Sequence, residues 1–242
     1  MPGAFLPSAL KNLYSAFADV VFPSACVGCN NFGELLCENC LRKIGEPQNT
    51  CIFCDKQTLH GKTCYQCQTT NCLTGVISVG EYKNETLRNA VHALKFSGVK
   101  EIADPLGDML AKKILQTLNN SLADFVIVAL PLHKIRKRER GFNQSELLAQ
   151  RVFLKLHLPY QKILIRTRAT RPQANIDHKT ETLRKENVAK AFAINPSQTT
   201  PLPEKVIIID DVATSGATLE EAAKIFHDAG VKDVWGAVIC RG

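Results

Sequence analysis

The sequence predicts an α/β fold, a mostly parallel sheet flanked by helices, preceded by a small cysteine-rich domain, on three observations. From about residue 73 onward, short apolar runs alternate with longer stretches of helical periodicity, the pattern of a parallel sheet covered by helices. Ahead of that region, residues 23–72 hold eight of the ten cysteines, arranged as four C-x-x-C pairs. The composition is that of a globular chain: 242 residues, 45% hydrophobic and 22% charged, enough for a core that needs no covalent staples.

In chain order, residues 1–22 come first. Leu6, Leu10, Leu13, Phe17 and Val21 recur at spacings of three and four, which predicts an amphipathic helix over 4–22. With only Lys11 and Asp19 as charges it lacks the basic face of a membrane-binding helix, so packing against the protein is favoured over a partner or a membrane surface. The N-terminus has no basic region ahead of its apolar residues and makes a poor signal peptide. No segment approaches the roughly 18 apolar residues of a span, so the expectation is a cytoplasmic chain without stable membrane insertion.

The second segment, residues 23–72, is expected to be a double zinc ribbon. A C-x-x-C turn sets two thiolates at the separation needed to share one tetrahedral ion, and two such knuckles close a four-sulfur shell. Four knuckles therefore supply two Zn²⁺ sites. A disulfide framework needs an oxidising compartment, and redox chemistry accounts for one C-x-x-C better than for four. Sequential pairing (Cys26, Cys29, Cys37, Cys40; then Cys51, Cys54, Cys64, Cys67) is preferred, with a cross-braced arrangement open. Cys72 stands alone as a spare or substitute ligand, and Cys240, closing the run "VWGAVIC", reads as a small buried hydrophobe. Each zinc held by four thiolates carries a net −2, so two sites bring the formal charge of +7 to about +3. The positive excess is then concentrated in "HKIRKRER" at 133–140 and between Lys162 and Lys190.

The third segment, residues 73–242, carries the sheet. Strands are expected at Val76 to Val79, Phe125 to Leu130, Ile163 to Ile165, Val206 to Ile209 and Val234 to Ile239. Helices are expected at Glu85 to Phe96, Ile102 to Leu118, Gln144 to Leu156 and Ala217 to Ala229. In such sheets ligands bind beyond the carboxyl ends of strands, where loops lead into helices. The stretch "VIIIDDVATSGAT", Val206 to Thr218, lies at such a point. Gly216 and its small neighbours allow several backbone N–H groups to converge at a helix start, which suits a phosphate, and Thr214, Ser215 and Thr218 can add hydroxyl donors. Asp210 and Asp211 have a different use: carboxylates accept from hydroxyls and help to hold Mg²⁺. Together the two halves fit a sugar phosphate with free hydroxyls. A helix cap would need one acid, not this whole pattern.

"VIIIDDVATSGATL" closely resembles the signature of type I phosphoribosyltransferases that binds phosphoribosyl pyrophosphate (PRPP), with Ser215 where a second threonine is usual. "ALPLHKIRKRERGFNQSELLAQ" at 129–150 and "RTRATRPQANIDHKTETLRKENVAKAF" at 166–192 resemble segments particular to the ComF family of competence proteins, in which a cysteine-rich zinc ribbon precedes the transferase domain. The similarity extends over residues 20–242. It implies a type I phosphoribosyltransferase fold in which Asp210 and Asp211 hold the ribose hydroxyls of PRPP and Ala213, Thr214, Ser215, Gly216, Ala217 and Thr218 cradle its 5′-phosphate. "PLHKIRKRERG" would be the pyrophosphate loop, with Arg136, Arg138 and Arg140 stabilising charge on the Mg²⁺-bound leaving group. A solvated face is the competing account of such a charge run. Residues 168–187 resemble a hood that closes over substrate, where Gln173 and Arg184 match family positions. Asp210, Asp211, Arg138 and Arg140 are the candidates for catalysis. For Lys95, in "LKFSG", a site role and a plain surface position fit equally, and His133 is given no catalytic role.

Two functional classes follow from the resemblance. One is a Mg²⁺-dependent transferase moving a phosphoribosyl group to an acceptor the sequence does not name. The other is a non-catalytic module that binds PRPP and single-stranded DNA during natural competence, DNA uptake and transformation, together with proteins of the competence machinery. Zinc ribbons and cationic segments suit the second task, because Lys and Arg attract phosphate backbones without reading sequence.

Overall fold

The structure, a computed structural model, describes residues 24–168 and 190–242. The expected N-terminal helix, and the expected hood with Gln173 and Arg184, lie outside the described residues.

The chain enters the described region through the cysteine segment, which has two short helices, α1 (Glu38–Arg42) and α2 (Tyr65–Gln68). Then follow β1 (Gly75–Glu81), α3 (Glu85–Phe96), α4 (Ala103–Leu118), β2 (Phe125–Ala129), α5 (Lys134–Arg140) and α6 (Gln144–Leu156). A short ribbon of β3 (Leu164–Arg166) and β4 (Phe192–Ile194) precedes β5 (Lys205–Ala213), α7 (Ala217–Asp228) and β6 (Asp233–Arg241). The main sheet runs in the order β1-β6-β5-β2, and every neighbouring pair is parallel. Beside β2 the edge is continued by one bridge to Tyr160, with the Gln161 N–H donating to the Ile127 carbonyl at 3.0 Å.

Local sequence sets the helix starts. Asn84 caps α3 by accepting from the Leu87 N–H at 3.1 Å, and Asn143 caps α6 by accepting from the Ser145 N–H at the same distance. Side chains alternate across β5 and fill both sides of the sheet. Ile207 and Ile209 enter a core with Leu94 of α3, Leu110 of α4 and Leu148 of α6. Val206 and Ile208 enter a second core with Leu219 and Phe226 of α7 and with β3 and β4. The result is a three-layer arrangement in which β5 is buried on both faces.

Two expectations need correction. The run at Ile163 to Ile165 is a strand, but it pairs antiparallel with β4 outside the main sheet. It is too short and too briefly apolar to announce its partner. The basic stretch expected as a loop forms the helix α5, capped by His133 Nδ1, which accepts from the Ile135 N–H at 3.4 Å, and ended by Gly141 at φ +76. With Ile135 as its one aliphatic residue it offers no hydrophobic period to read.

The cysteine segment folds as two knuckle pairs, each docked on the sheet layers. The first lies on α3: the Asn89 side chain donates to the Val27 carbonyl at 3.1 Å, and Cys26 and Cys40 are buried beside Leu87. The second lies across the far end of β6 and the start of α7. It runs directly into β1 through a bridge between Lys62 and Gly75. Glu220 of α7 holds that junction, accepting from the N–H groups of Cys72 at 2.9 Å and Leu73 at 3.1 Å.

Candidate functional site

The carboxyl end of β5 delivers Asp210 and Asp211 to the junction of α3, α6 and α7. Asp211 is 3% exposed, and its Oδ1 receives the Lys95 ammonium from the end of α3 at 2.6 Å. Its Oδ2 is buried without a hydrogen-bond partner. Asp210 accepts from the Ser145 hydroxyl at 3.0 Å and from the Asp211 N–H at 2.9 Å. Burial, and next the adjacent Asp211 charge, push the Asp210 carboxyl up to about 7, with Lys95 acting against both. Burial opposes the Lys95 charge, but the pull of Asp211 outweighs it and holds the ammonium above its ordinary value. An open choice in the sequence is thereby settled geometrically: Lys95 sits on the acidic pair.

Beyond the aspartates the chain turns through Thr214 and Ser215 into Gly216, whose φ of +73 lies in the left-handed region, and α7 begins at once. Gly216 gives the first turn of α7 no side-chain cap, and that turn borders a hollow. That hollow is lined by Asp210, Ala213, Thr214, Gly216, Ala217 and Thr218. Ser215 does not line it; its Oγ is buried without a hydrogen-bond partner. Asp210 and the start of α7 therefore line one hollow, with Asp211 buried behind Asp210 on Lys95.

The arginines of α5 divide. Arg136 and Arg140 are partly buried and one turn apart on the same face, while Arg138 is exposed on the other side. Burial first, and the Arg140 charge second, lower Arg136 from its ordinary value. Arg140 donates to Gln144 Oε1 at 3.1 Å and its guanidinium lies 5.3 Å over the Phe96 ring, beside Lys95. Sequence reading missed a further cation, Arg166 of β3. Burial lowers it against the attraction of Asp210, and its guanidinium lies 5.2 Å over Phe192. The site thus gathers cations from three elements, α3, α5 and β3, around two acids on β5.

Neither cysteine group lines this cleft. Within each of Cys26, Cys29, Cys37, Cys40 and Cys51, Cys54, Cys64, Cys67 the sulfur atoms all lie within 4.8 Å of one another. The grouping is sequential, not cross-braced, and all ten cysteines are free of disulfides. Burial works against a Cys26 thiolate, but N–H groups of Cys37, Gly28 and Cys29 outweigh it and bring the thiol down to about 6. The N–H of Cys67, the largest influence on Cys64, helps to lower that thiol to about 7. Four thiols around one centre with peptide N–H groups turned to the sulfurs is a donor set that fits structural Zn²⁺. Cys72 and Cys240 belong to neither group. Among the described residues no helix is long and apolar enough to cross a membrane.

Comparison with known proteins agrees with this architecture. The family described as "Phosphoribosyl transferase domain" matches residues 106–242, more than half of the chain. "DNA utilization protein YhgH" of Escherichia coli strain K12 is 32% identical over 213 residues, covering 85% of this chain and 90% of its own length. "Competence protein F" of Haemophilus influenzae is 27% identical over 227 residues, 85% of this chain and 97% of that protein. The chain belongs to the ComF family. A third ComF relative, "Competence protein ComFC" of Streptococcus pneumoniae, is 30% identical over 215 residues, 84% of this chain and 86% of its own. A phosphoribosyltransferase fold with two four-cysteine clusters of zinc-ribbon type at its N-terminal side is the ComF architecture found here. The chemistry open to this arrangement is recognition of a molecule with hydroxyls at one end and phosphate at the other.

Proposed function

We propose that this ComF-family chain binds PRPP with Mg²⁺ in the cleft at the end of β5 and acts in the competence-related handling of DNA. The observation that carries the reading is the pairing of two carboxylates with an uncapped helix start on one turn. Asp210 and Asp211 accept the ribose 2′- and 3′-hydroxyls, and the N–H groups from Ala213 to Thr218, with the Thr214 and Thr218 hydroxyls, take the 5′-phosphate. Asp210 and Asp211 would help to hold Mg²⁺, which when bound would supply positive charge for the pyrophosphate. Arg136, Arg140 and Arg166 supply the cationic wall toward which that charge develops. In a transfer, the acceptor's lone pair bonds to the anomeric carbon as the bond to the pyrophosphate oxygen breaks, and that bond's electron pair leaves with pyrophosphate. Lys95 keeps the acidic pair from carrying two uncompensated charges. Arg136, Arg140 and Arg166 are the cations this reading relies on, since Arg138 is exposed on the opposite face of α5.

Calorimetry with PRPP and Mg²⁺ tests the site: wild type binds, and Asp210→Ala with Asp211→Ala does not. Equal binding by the double variant sinks the assignment. Incubation with labelled PRPP, Mg²⁺ and a panel of nucleobases and DNA, read as pyrophosphate release, then separates turnover from binding alone. A second reading, single-stranded DNA binding by the same chain, is favoured by one observation. Lys134 and Arg138 are exposed on the outer side of α5, where a phosphate backbone can reach them. The names of the relatives, competence proteins and a DNA utilization protein, agree with that role.

A further inference from the structure

The second cysteine cluster and the phosphate turn share a wall. Ile52, between Cys51 and Cys54, is 5% exposed and belongs to the same core as Ala213 and Leu219. A Cβ placed on Gly216 would come within 2.9 Å of Ile52 Cγ1 and 3.1 Å of its Cγ2, so the turn rests directly on the knuckle. A second link is polar. Arg241, at the end of β6 and 7% exposed, donates from Nη1 to the Thr50 carbonyl at 2.6 Å. Its Nη2 donates to the Cys51 carbonyl at 3.0 Å and to Asp55 Oδ1 at 2.8 Å. The same residue is the β-partner of Ala213, the first residue of the turn, and the next N–H, that of Gly242, donates to the Ala213 carbonyl at 3.0 Å. One guanidinium therefore ties the backbone of a metal-ligand residue to the strand from which the turn departs.

We propose that Arg241 and Ile52 are positioning residues through which the second cysteine cluster sets the phosphate turn, so that Zn²⁺ in that cluster and ribose phosphate in the turn bind cooperatively. The proposal rests on the ribose-phosphate reading of the cleft. The physical reason is that a turn of Ala, Thr, Ser and Gly has no bulk with which to hold its own shape. Its N–H groups converge only if something outside it fixes them. The knuckle supplies that wall, and the knuckle itself lacks a core large enough to persist without its ion. Coupling between two sites is reciprocal, so if the ion orders the turn, a ligand in the turn retains the ion. The first cluster docks on α3, in the other core, and acts as an internal control.

The test uses the full-length zinc-loaded protein with PRPP and Mg²⁺ as the probe. Zinc release to a colorimetric chelator is followed with and without saturating PRPP, and hydrogen exchange is read over residues 50–58 and 26–40. The expected result is that one zinc equivalent leaves at least about fivefold more slowly when PRPP is bound, a coupling of ordinary size, while the other is unchanged. Added protection is expected to fall on 50–58 and not on 26–40. Arg241→Met should keep the first cluster's zinc, bind PRPP about tenfold more weakly and lose the effect of PRPP on zinc release, with Arg241→Lys recovering part of both. A knuckle that merely stabilises the fold would not respond to ligand. PRPP binding in calorimetry with both zinc equivalents released at unchanged rates overturns the coupling alone. Absence of PRPP binding by the wild type overturns the coupling and the ribose-phosphate reading together. Should Arg241→Met not fold, the wild-type release rates decide the matter.

Discussion

Asp211 cannot be understood without Lys95. A carboxylate at the end of a buried strand, 4% exposed, is tolerable because an ammonium reaches it from α3 at 2.6 Å. Removing one partner of such a pair leaves an uncompensated buried charge. Lys95→Met is therefore expected to destabilise the protein by about 3–5 kcal/mol in denaturant unfolding. Adding Asp211→Asn should restore a large part of that loss, and a double variant no more stable than Lys95→Met would show that the pair does not act as a unit. Asp210 leads to a pH prediction. Its carboxyl is raised to about 7 by burial and then by Asp211, and the ionised form is the stronger acceptor of a ribose hydroxyl and the form that helps to hold Mg²⁺. PRPP affinity should accordingly rise as pH increases through 7, by up to about tenfold per unit on the acid side, and level off above. In Asp210→Asn this rise should vanish, leaving what is due to the phosphates of PRPP itself; a persistent rise would place the titrating group elsewhere. In the sequence Asp210 and Asp211 were readable because two adjacent acids at a strand end are chemically conspicuous. Lys95 was only half readable, since its partner lies 116 residues away and nothing local separates it from a surface lysine.

At the scale of elements, legibility tracked local chemistry. The helices α3 and α6 have the predicted bounds because an asparagine cap and an apolar period agree at each. The strands β2 and β5 were clear as continuous aliphatic runs. The helix α5 escaped because seven mostly charged residues carry no period, and β4 escaped because a three-residue strand exists by virtue of its partner β3. Two glycines make a controlled comparison of how an element is held. Gly141 ends α5 at φ +76 with open space around its Cα, whereas Gly216 starts α7 at φ +73 against Ile52. Alanine at either position meets the same left-handed backbone cost, about 1–2 kcal/mol. Only at Gly216 does the added carbon also meet the knuckle. Gly216→Ala should thus destabilise more than Gly141→Ala in matched thermal melts and should abolish PRPP binding, whereas Gly141→Ala should retain it. Equal losses of stability would mean that Ile52 yields without cost and that the knuckle is not a rigid wall.

For the whole molecule, the cysteine segment is not an appendage. One cluster docks on α3 and the other lies against the phosphate turn. Elemental analysis should return about two zinc ions per chain. The sequence foretold both clusters from C-x-x-C spacing but not where they dock, because Arg241 finds the Thr50 carbonyl across 191 residues. Charge is distributed on the same plan. Thiolate-bound zinc reduces a formal +7 to about +3, so the remaining positive charge matters chiefly where it is gathered, and on α5 it faces two ways. Arg136 and Arg140 are partly buried on one face, while Lys134 and Arg138 stay exposed. If the inner face serves pyrophosphate and the outer face serves single-stranded DNA, charge reversal separates them. Arg138→Glu should weaken DNA binding and lower the dependence of log affinity on log salt by about 0.7 for each DNA phosphate that is no longer neutralised, with PRPP affinity retained. Arg136→Glu should do the reverse, losing PRPP and keeping most of the salt slope. An unchanged slope in Arg138→Glu removes the outer face of α5 from any DNA-binding surface, and a loss of PRPP affinity in that variant returns Arg138 to the cleft.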